Sequence, residues 1–131
     1  MKKYIVIVLS GLLLVLSGCG IVNPSGQQGK SSYQKISVEE AKEMMDKGNV
    51  SIVDVRTKEE YEAQHIVNAI LVENETIEKE ASSLLPDKDA IILVYCRSGS
   101  RSKQASKKLI NMGYTNVFDF GGIKDWPYEV Q

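Results

Sequence analysis

The sequence predicts an α/β domain, a parallel sheet with helices over both faces. Two observations carry that prediction. Short apolar runs of strand type, at residues 33–36, 50–55, 69–72, 90–95 and 116–120, alternate with segments of helical pattern. Those helical segments also bring their own start and stop signals. Strands that alternate with helices imply a parallel sheet covered on both sides.

Taken in chain order, residues 33–36 form a short first strand. Ser37 caps the next helix, and Glu40 three residues later completes a capping box. Ala41, Met44 and Met45 give that helix an apolar face, and Gly48 stops it. Residues 50–55 read as a buried strand. Thr57 with Glu60 repeats the capping box and opens a short helix to about Gln64. Residues 69–72 are a further short strand. Residues 77–85 are helical in pattern until Pro86-Asp87 ends them. Residues 90–95 are the most strongly marked strand. Residues 102–112 are helical, with Ala105, Leu109 and Ile110 apolar and Gly113 as the stop. Residues 116–120 make the last strand, followed by Gly121-Gly122 and a turn carrying Trp126.

At 131 residues the chain has room for one domain. The net charge is −1, and removing residues 1–18 with Lys2 and Lys3 leaves −3. A mildly acidic domain has no global electrostatic reason to bind nucleic acid. The N-terminus is unlike the rest. Met1-Lys2-Lys3 is basic, residues 4–16 are apolar, and Leu16-Ser17-Gly18-Cys19 places small residues before a cysteine. The apolar run is shorter than the roughly 20 residues a spanning helix needs, so it reads as a secretory signal. Its end resembles a bacterial lipobox, which implies a diacylglycerol on Cys19 and a cell-membrane anchor on the extracytoplasmic side. Residues 1–18 are then the signal peptide, 19–33 a lipidated N-terminus and flexible tether, and 34–131 the folded domain. Pro24, Gly26, Gln27, Gln28, Gly29, Ser31 and Ser32 give the tether too little apolar content to fold.

Only two cysteines are present. With lipid on Cys19, Cys96 has no intramolecular partner, and a leftover cysteine outside the cytosol points to a reactive thiol or an intermolecular bond. Its surroundings agree. Cys96 ends an apolar run, and Cys96-Arg97-Ser98-Gly99-Ser100-Arg101 leads into a helix. The positive end of that helix and the two guanidiniums favour the thiolate, which is the reactive form. Gly99 permits a backbone conformation in which successive N–H groups point inward as an anion nest. The loop therefore reads as a cradle for a nucleophilic sulfur and an anionic partner.

Three pieces of the chain together resemble the single-domain rhodanese family. They are Asp54-Val55-Arg56 followed by Glu59-Glu60-Tyr61 and His65-Ile66; the loop from Cys96 to Arg101; and Gly121-Gly122 before Trp126. The resemblance implies a five-stranded parallel sheet between helices. It also implies a sulfurtransferase in which Cys96 takes sulfane sulfur from a donor such as thiosulfate and hands it to cyanide or a thiol. Arg97, Ser98, Gly99, Ser100 and Arg101 would bind the donor; Asp54, Arg56 and His65 would support the site. No metal or organic cofactor is implied. The chain departs from the family around Gln64-His65-Ile66-Val67-Asn68-Ala69, where a proline and a glycine common in the family are missing.

Two other readings belong beside this one. Related phosphatases and arsenate reductases have five residues between cysteine and arginine, whereas four separate Cys96 from Arg101. The shorter loop makes a smaller cradle, better suited to sulfur than to a tetrahedral oxyanion. A non-catalytic sulfur carrier, sensor or partner-binding module would use the same thiol with a protein on the other side. His65 opens the thought of a Cys-His dyad; Trp126 is read as a core or lid aromatic.

Overall fold

The computed structural model describes residues 31–131. The signal peptide, the lipobox and most of the tether lie outside the described residues. Five strands form one parallel sheet: β1 (Gln34–Lys35), β2 (Val50–Asp54), β3 (Ile70–Leu71), β4 (Ile91–Cys96) and β5 (Asn116–Gly122), in the spatial order β1-β5-β4-β2-β3. Four helices connect them: α1 (Val38–Lys47), α2 (Lys58–Ala63), α3 (Ile77–Leu84) and α4 (Ser100–Asn111).

The two-residue alternation of β4 shows how the faces are divided. Ile92, Val94 and Cys96 point into one apolar cluster with Ile77 and Ala81 of α3 and with Ala105, Leu109 and Ile110 of α4. Ile91, Leu93 and Tyr95 point into the other, with Ala41, Met44 and Met45 of α1, Tyr61 of α2, and Phe120 and Trp126. A strand buried on both sides reads as a continuous apolar run, which is why β4 is so plain in the sequence. Helices therefore cover both faces, and the Cys96 thiol belongs to the α3–α4 side.

Both capping boxes form. Ser37 and Thr57 each accept from the backbone N–H three residues on, and Glu40 and Glu60 reach back to the cap N–H. Elsewhere the elements differ from expectation in two places that matter. Helix α4 starts at Ser100, not Ser102, and is capped by Gly99 at φ 108 with no side-chain hydrogen bond. Ser100 and Arg101 thus belong to the first helical turn and not to the loop. Strand β5 continues through Gly121-Gly122, and Gly122 pairs with Cys96 after a register shift in β4. The strand survives two glycines because its end lies against the loop after Cys96. Tyr33, which the sequence places where the tether meets the first strand, packs onto the domain: its hydroxyl donates to buried Asp119 of β5.

Candidate active site

The carboxyl ends of β2, β4 and β5 bring Asp54, Cys96 and Gly122 to one edge of the sheet, where parallel α/β folds bind ligands. Cys96 is 1% exposed as a whole residue. Its Sγ accepts the Gly99 N–H at 3.0 Å. Burial pushes the thiol up, but the Ser102 hydroxyl and the N–H groups of Ser102, Gly99 and Ser98 outweigh it, and the net effect holds Cys96 below its ordinary value. The Ser102 hydroxyl is buried and also lies 3.0 Å from the Gly99 carbonyl and 3.3 Å from that of Gly121. Its single proton can serve one of these acceptors at a time. Alkylation of Cys96 by iodoacetamide is therefore expected to reach its plateau at lower pH than for a free cysteine. A rate profile matching a free thiol would contradict the cradle.

Helices α1, α2 and α3 all carry glutamates in the first turn, and α4 carries none. Its exposed N-terminal dipole is left to the sulfur. Arg101 in that turn is not free, since its two terminal nitrogens donate to Glu60 at 2.7 and 2.9 Å. The same carboxylate closes the α2 capping box, so it ties α2 to α4 across the sheet edge. The Arg101 hydrogen bonds, opposed by partial burial, hold Glu60 at about 2. A carboxyl depressed in the folded state stabilises above the unfolded value; that contribution fades as pH falls from the ordinary carboxylate range toward about 2. Arg97 is exposed and has no ion pair among the described residues. Its carbonyl accepts the Lys124 N–H.

Beneath the loop lies a buried charge network. Asp54 is fully buried and accepts from Arg56 Nε, Arg56 Nη2 and the Arg56 backbone N–H at 2.7 to 3.1 Å. Arg56 also donates to the Gln64 carbonyl at 2.6 Å. Tyr95 completes the set, donating to Asp54 at 2.6 Å and accepting the buried Ile66 N–H at 3.0 Å. Sequence reading missed Tyr95, because it looked like one more apolar position of β4. Tyr95→Phe is expected to strand the Ile66 N–H and remove a donor from Asp54, at a cost of about 1–3 kcal/mol. The midpoint of urea unfolding at constant m reads it directly.

His65 stands away from the thiol. Its ring stacks on Tyr61 at 3.8 Å, Nδ1–H donates to the Tyr61 carbonyl at 2.8 Å, and Nε2 accepts from Gln131. It pins the C-terminus and forms no dyad with Cys96. Trp126 packs on Phe120 and Tyr128, on the α1–α2 side of the sheet. A cavity of about 620 Å³ opens beside Trp126, lined by Lys42, Met45, Asn49, Asn68 and Tyr128 among others, and Cys96 does not reach it. Among the described residues no cluster of histidine, cysteine and carboxylate side chains could hold a metal ion.

A cysteine at a strand tip, its sulfur held by backbone amides at a helix start, is the arrangement of a stabilised, nucleophilic thiolate. The Rhodanese-like domain model matches residues 37–128. The chain belongs to that family and is a rhodanese-type sulfurtransferase. It is 38% identical over 73 residues to the thiosulfate sulfurtransferase PspE of Escherichia coli strain K12, covering 56% of this chain and 70% of that protein. It is 33% identical over 95 residues to the thiosulfate sulfurtransferase GlpE of Coxiella burnetii, covering 72% and 87%. A solved rhodanese with anions from E. coli is 34% identical with TM-score 0.60, covering 63% and 96%. The human single-domain sulfurtransferase TSTD1, at 22% identity and TM-score 0.66, covering 72% and 96%, shares the fold.

Proposed function

We propose that this domain moves sulfane sulfur from thiosulfate, or a similar sulfur oxyanion, to a thiol or cyanide-like acceptor through a persulfide on Cys96. We propose further that a lipid on Cys19 holds it at the extracytoplasmic face of a bacterial cell membrane. The observation that carries the first reading is the amide cradle around Sγ, with Gly99 N–H at 3.0 Å. The motif Leu16-Ser17-Gly18-Cys19 behind a basic and apolar leader supports the second. The activities named for PspE and GlpE support thiosulfate as the donor class.

The chemistry runs in two displacements. The Cys96 thiolate attacks the outer sulfur of thiosulfate, forming one S–S bond. The donor's own S–S bond breaks, and its electron pair leaves on sulfite. The persulfide that remains carries the negative charge on its terminal sulfur. The N–H groups of Ser98, Gly99 and Ser102, which favour the thiolate, can shift to that sulfur without rebuilding the loop. An acceptor thiolate or cyanide then attacks the terminal sulfur, and the bonding pair returns to Cys96. This is covalent catalysis with ping-pong kinetics.

Mass spectrometry after incubation with thiosulfate tests the reading. The expected result is a gain of one sulfur atom on Cys96 that cyanide removes. No adduct with thiosulfate, polysulfide or organic persulfides would overturn it. Slow turnover with cyanide beside rapid transfer to one protein partner would move the role from enzyme to carrier. For the anchor, Cys19→Ser is expected to abolish partitioning into the detergent phase; unchanged partitioning and processing would overturn it.

A further inference from the structure

The ammonium of Lys35 hangs over the glycine hollow beside Cys96. A Cβ built at Gly99 would stand 3.7 Å from Lys35 Nζ, and one built at Gly121 would stand 3.8 Å from it. Gly99 is the residue whose N–H holds the thiol. Both glycines have positive φ, 108° and 90°, so side chains are kept out of the hollow by backbone conformation.

Lys35 has no carboxylate partner. Among the described residues the ion pairs are Lys42 with Asp46, Arg56 with Asp54, Lys58 with Glu62 and Arg101 with Glu60. Residues 1–30 contain no aspartate or glutamate. Asp119 lies opposite Lys35 in the strand register, but it is buried and is taken up by the Tyr33 hydroxyl and the Gly121 N–H. Arg101, one of the two guanidiniums that sequence reading gave to the donor, already answers Glu60 with both terminal nitrogens. Arg97 is also exposed and without an ion pair among the described residues, but the cation that stands over both glycines is Lys35 on β1, an edge strand at the far end of the sequence from the loop.

We propose that Lys35 is a specificity-determining residue that binds the oxyanion end of the sulfur donor above Gly99 and Gly121. This rests on the sulfur-oxyanion reading above and names the residue that selects for it. The ammonium pairs with the sulfonate-like oxygens of the donor while Cys96 attacks its outer sulfur. As the donor S–S bond breaks, the pair that leaves on sulfite is retained next to Lys35 until the product departs. A lysine suits this task because its charge acts as a point on a flexible stem and follows the anion as it recedes. Lys103 and Lys107 of α4, whose ammoniums lie 5.9 and 5.8 Å from the Tyr33 ring centre, keep that flank positive. Anionic donors are drawn in by the same flank.

The test is the half-reaction alone. Covalent modification of Cys96 is followed by quenched-flow mass spectrometry: as persulfide against the concentration of thiosulfate, and separately, with an uncharged organic trisulfide, as the mixed di- or trisulfide formed when the thiolate displaces RSS⁻ or RS⁻. Losing one charged hydrogen-bonding contact corresponds to roughly a tenfold effect. Lys35→Gln is thus expected to raise the half-saturating thiosulfate concentration about tenfold, with the limiting rate changed less than about threefold. The ratio of thiosulfate to trisulfide rates falls by the same factor, and Lys35→Arg restores most of it. Equal half-saturation in Lys35→Gln and the parent protein would overturn the role of Lys35 and leave the sulfur-transfer reading standing. Equal slowing with both donors would also overturn it, because Lys35 would then act on the thiolate and not on the donor's charge. A parent protein whose Cys96 reacts with the trisulfide but not with thiosulfate would overturn the oxyanion reading and this proposal together.

Discussion

Cys96→Ser is expected to abolish persulfide formation and to lower sulfur transfer by at least about 10³-fold, the scale on which loss of a covalent nucleophile acts. The reason is chemical. Serine offers an oxygen that cannot hold sulfane sulfur as a persulfide, and its hydroxyl is far less acidic than a thiol. The amide cradle that favours a thiolate is too weak to make an alkoxide at neutral pH. The fold should survive, because the hydroxyl can accept the Gly99 N–H that Sγ accepts in the parent. A change in stability of about 1 kcal/mol is the scale for such a swap. Thermal unfolding and mass spectrometry on the same sample separate the two effects. Sulfur transfer that persists in Cys96→Ser would sink the assignment. Aryl-phosphate hydrolysis present in the parent and lost in the variant would revive the phosphatase reading.

What could be read from the sequence was local. The capping boxes at Ser37 and Thr57 are chemistry between residues three apart. Strand β4 is an apolar run bounded at both ends, and the loop from Cys96 to Arg101 declares itself by residue type and spacing. What could not be read was long-range. Glu60 looks like a helix cap, and nothing near it in sequence reveals that it also holds Arg101, 41 positions away. Tyr95 looks like a core position until the ends of β2 and β4 meet and its hydroxyl finds Asp54. Lys35 is an ordinary edge-strand lysine until β1 pairs with β5 and carries it over Gly99 and Gly121. The early start of α4 had a different cause. Sequence rules look for a side-chain cap, whereas here Gly99 gives its N–H to the thiol and the helix begins without one. The site departs from local rules where it holds the sulfur.

Gly122→Ala is expected to cost activity about 10²-fold, although the residue touches neither the sulfur nor the donor. Gly122 has ordinary extended backbone, φ −136 and ψ 149, so conformational freedom is not what it supplies. It supplies room. A Cβ there would lie 2.0 Å from the Arg97 carbonyl oxygen, 2.4 Å from its carbon and 2.7 Å from the Ser98 nitrogen. These are backbone atoms, so no rotamer change relieves the clash. Either the Arg97–Ser98 peptide moves or the end of β5 withdraws and the Cys96–Gly122 pairing breaks. Either response shifts the amides around Sγ by about 1 Å, a displacement that can cost two orders of magnitude in rate. Overpacking of this kind destabilises by about 1–3 kcal/mol. The iodoacetamide profile of Cys96 should move up toward that of a free thiol as the cradle loosens. Gly121→Ala is the contrasting variant. Its Cβ would meet only the mobile Lys35 ammonium at 3.8 Å, and its cost comes from φ 90, about 1–2 kcal/mol. The cradle should then keep its depressed thiol in Gly121→Ala and lose it in Gly122→Ala. A Gly122→Ala protein with the parent's alkylation profile would mean that the contact between β5 and the loop does not hold the thiol in place.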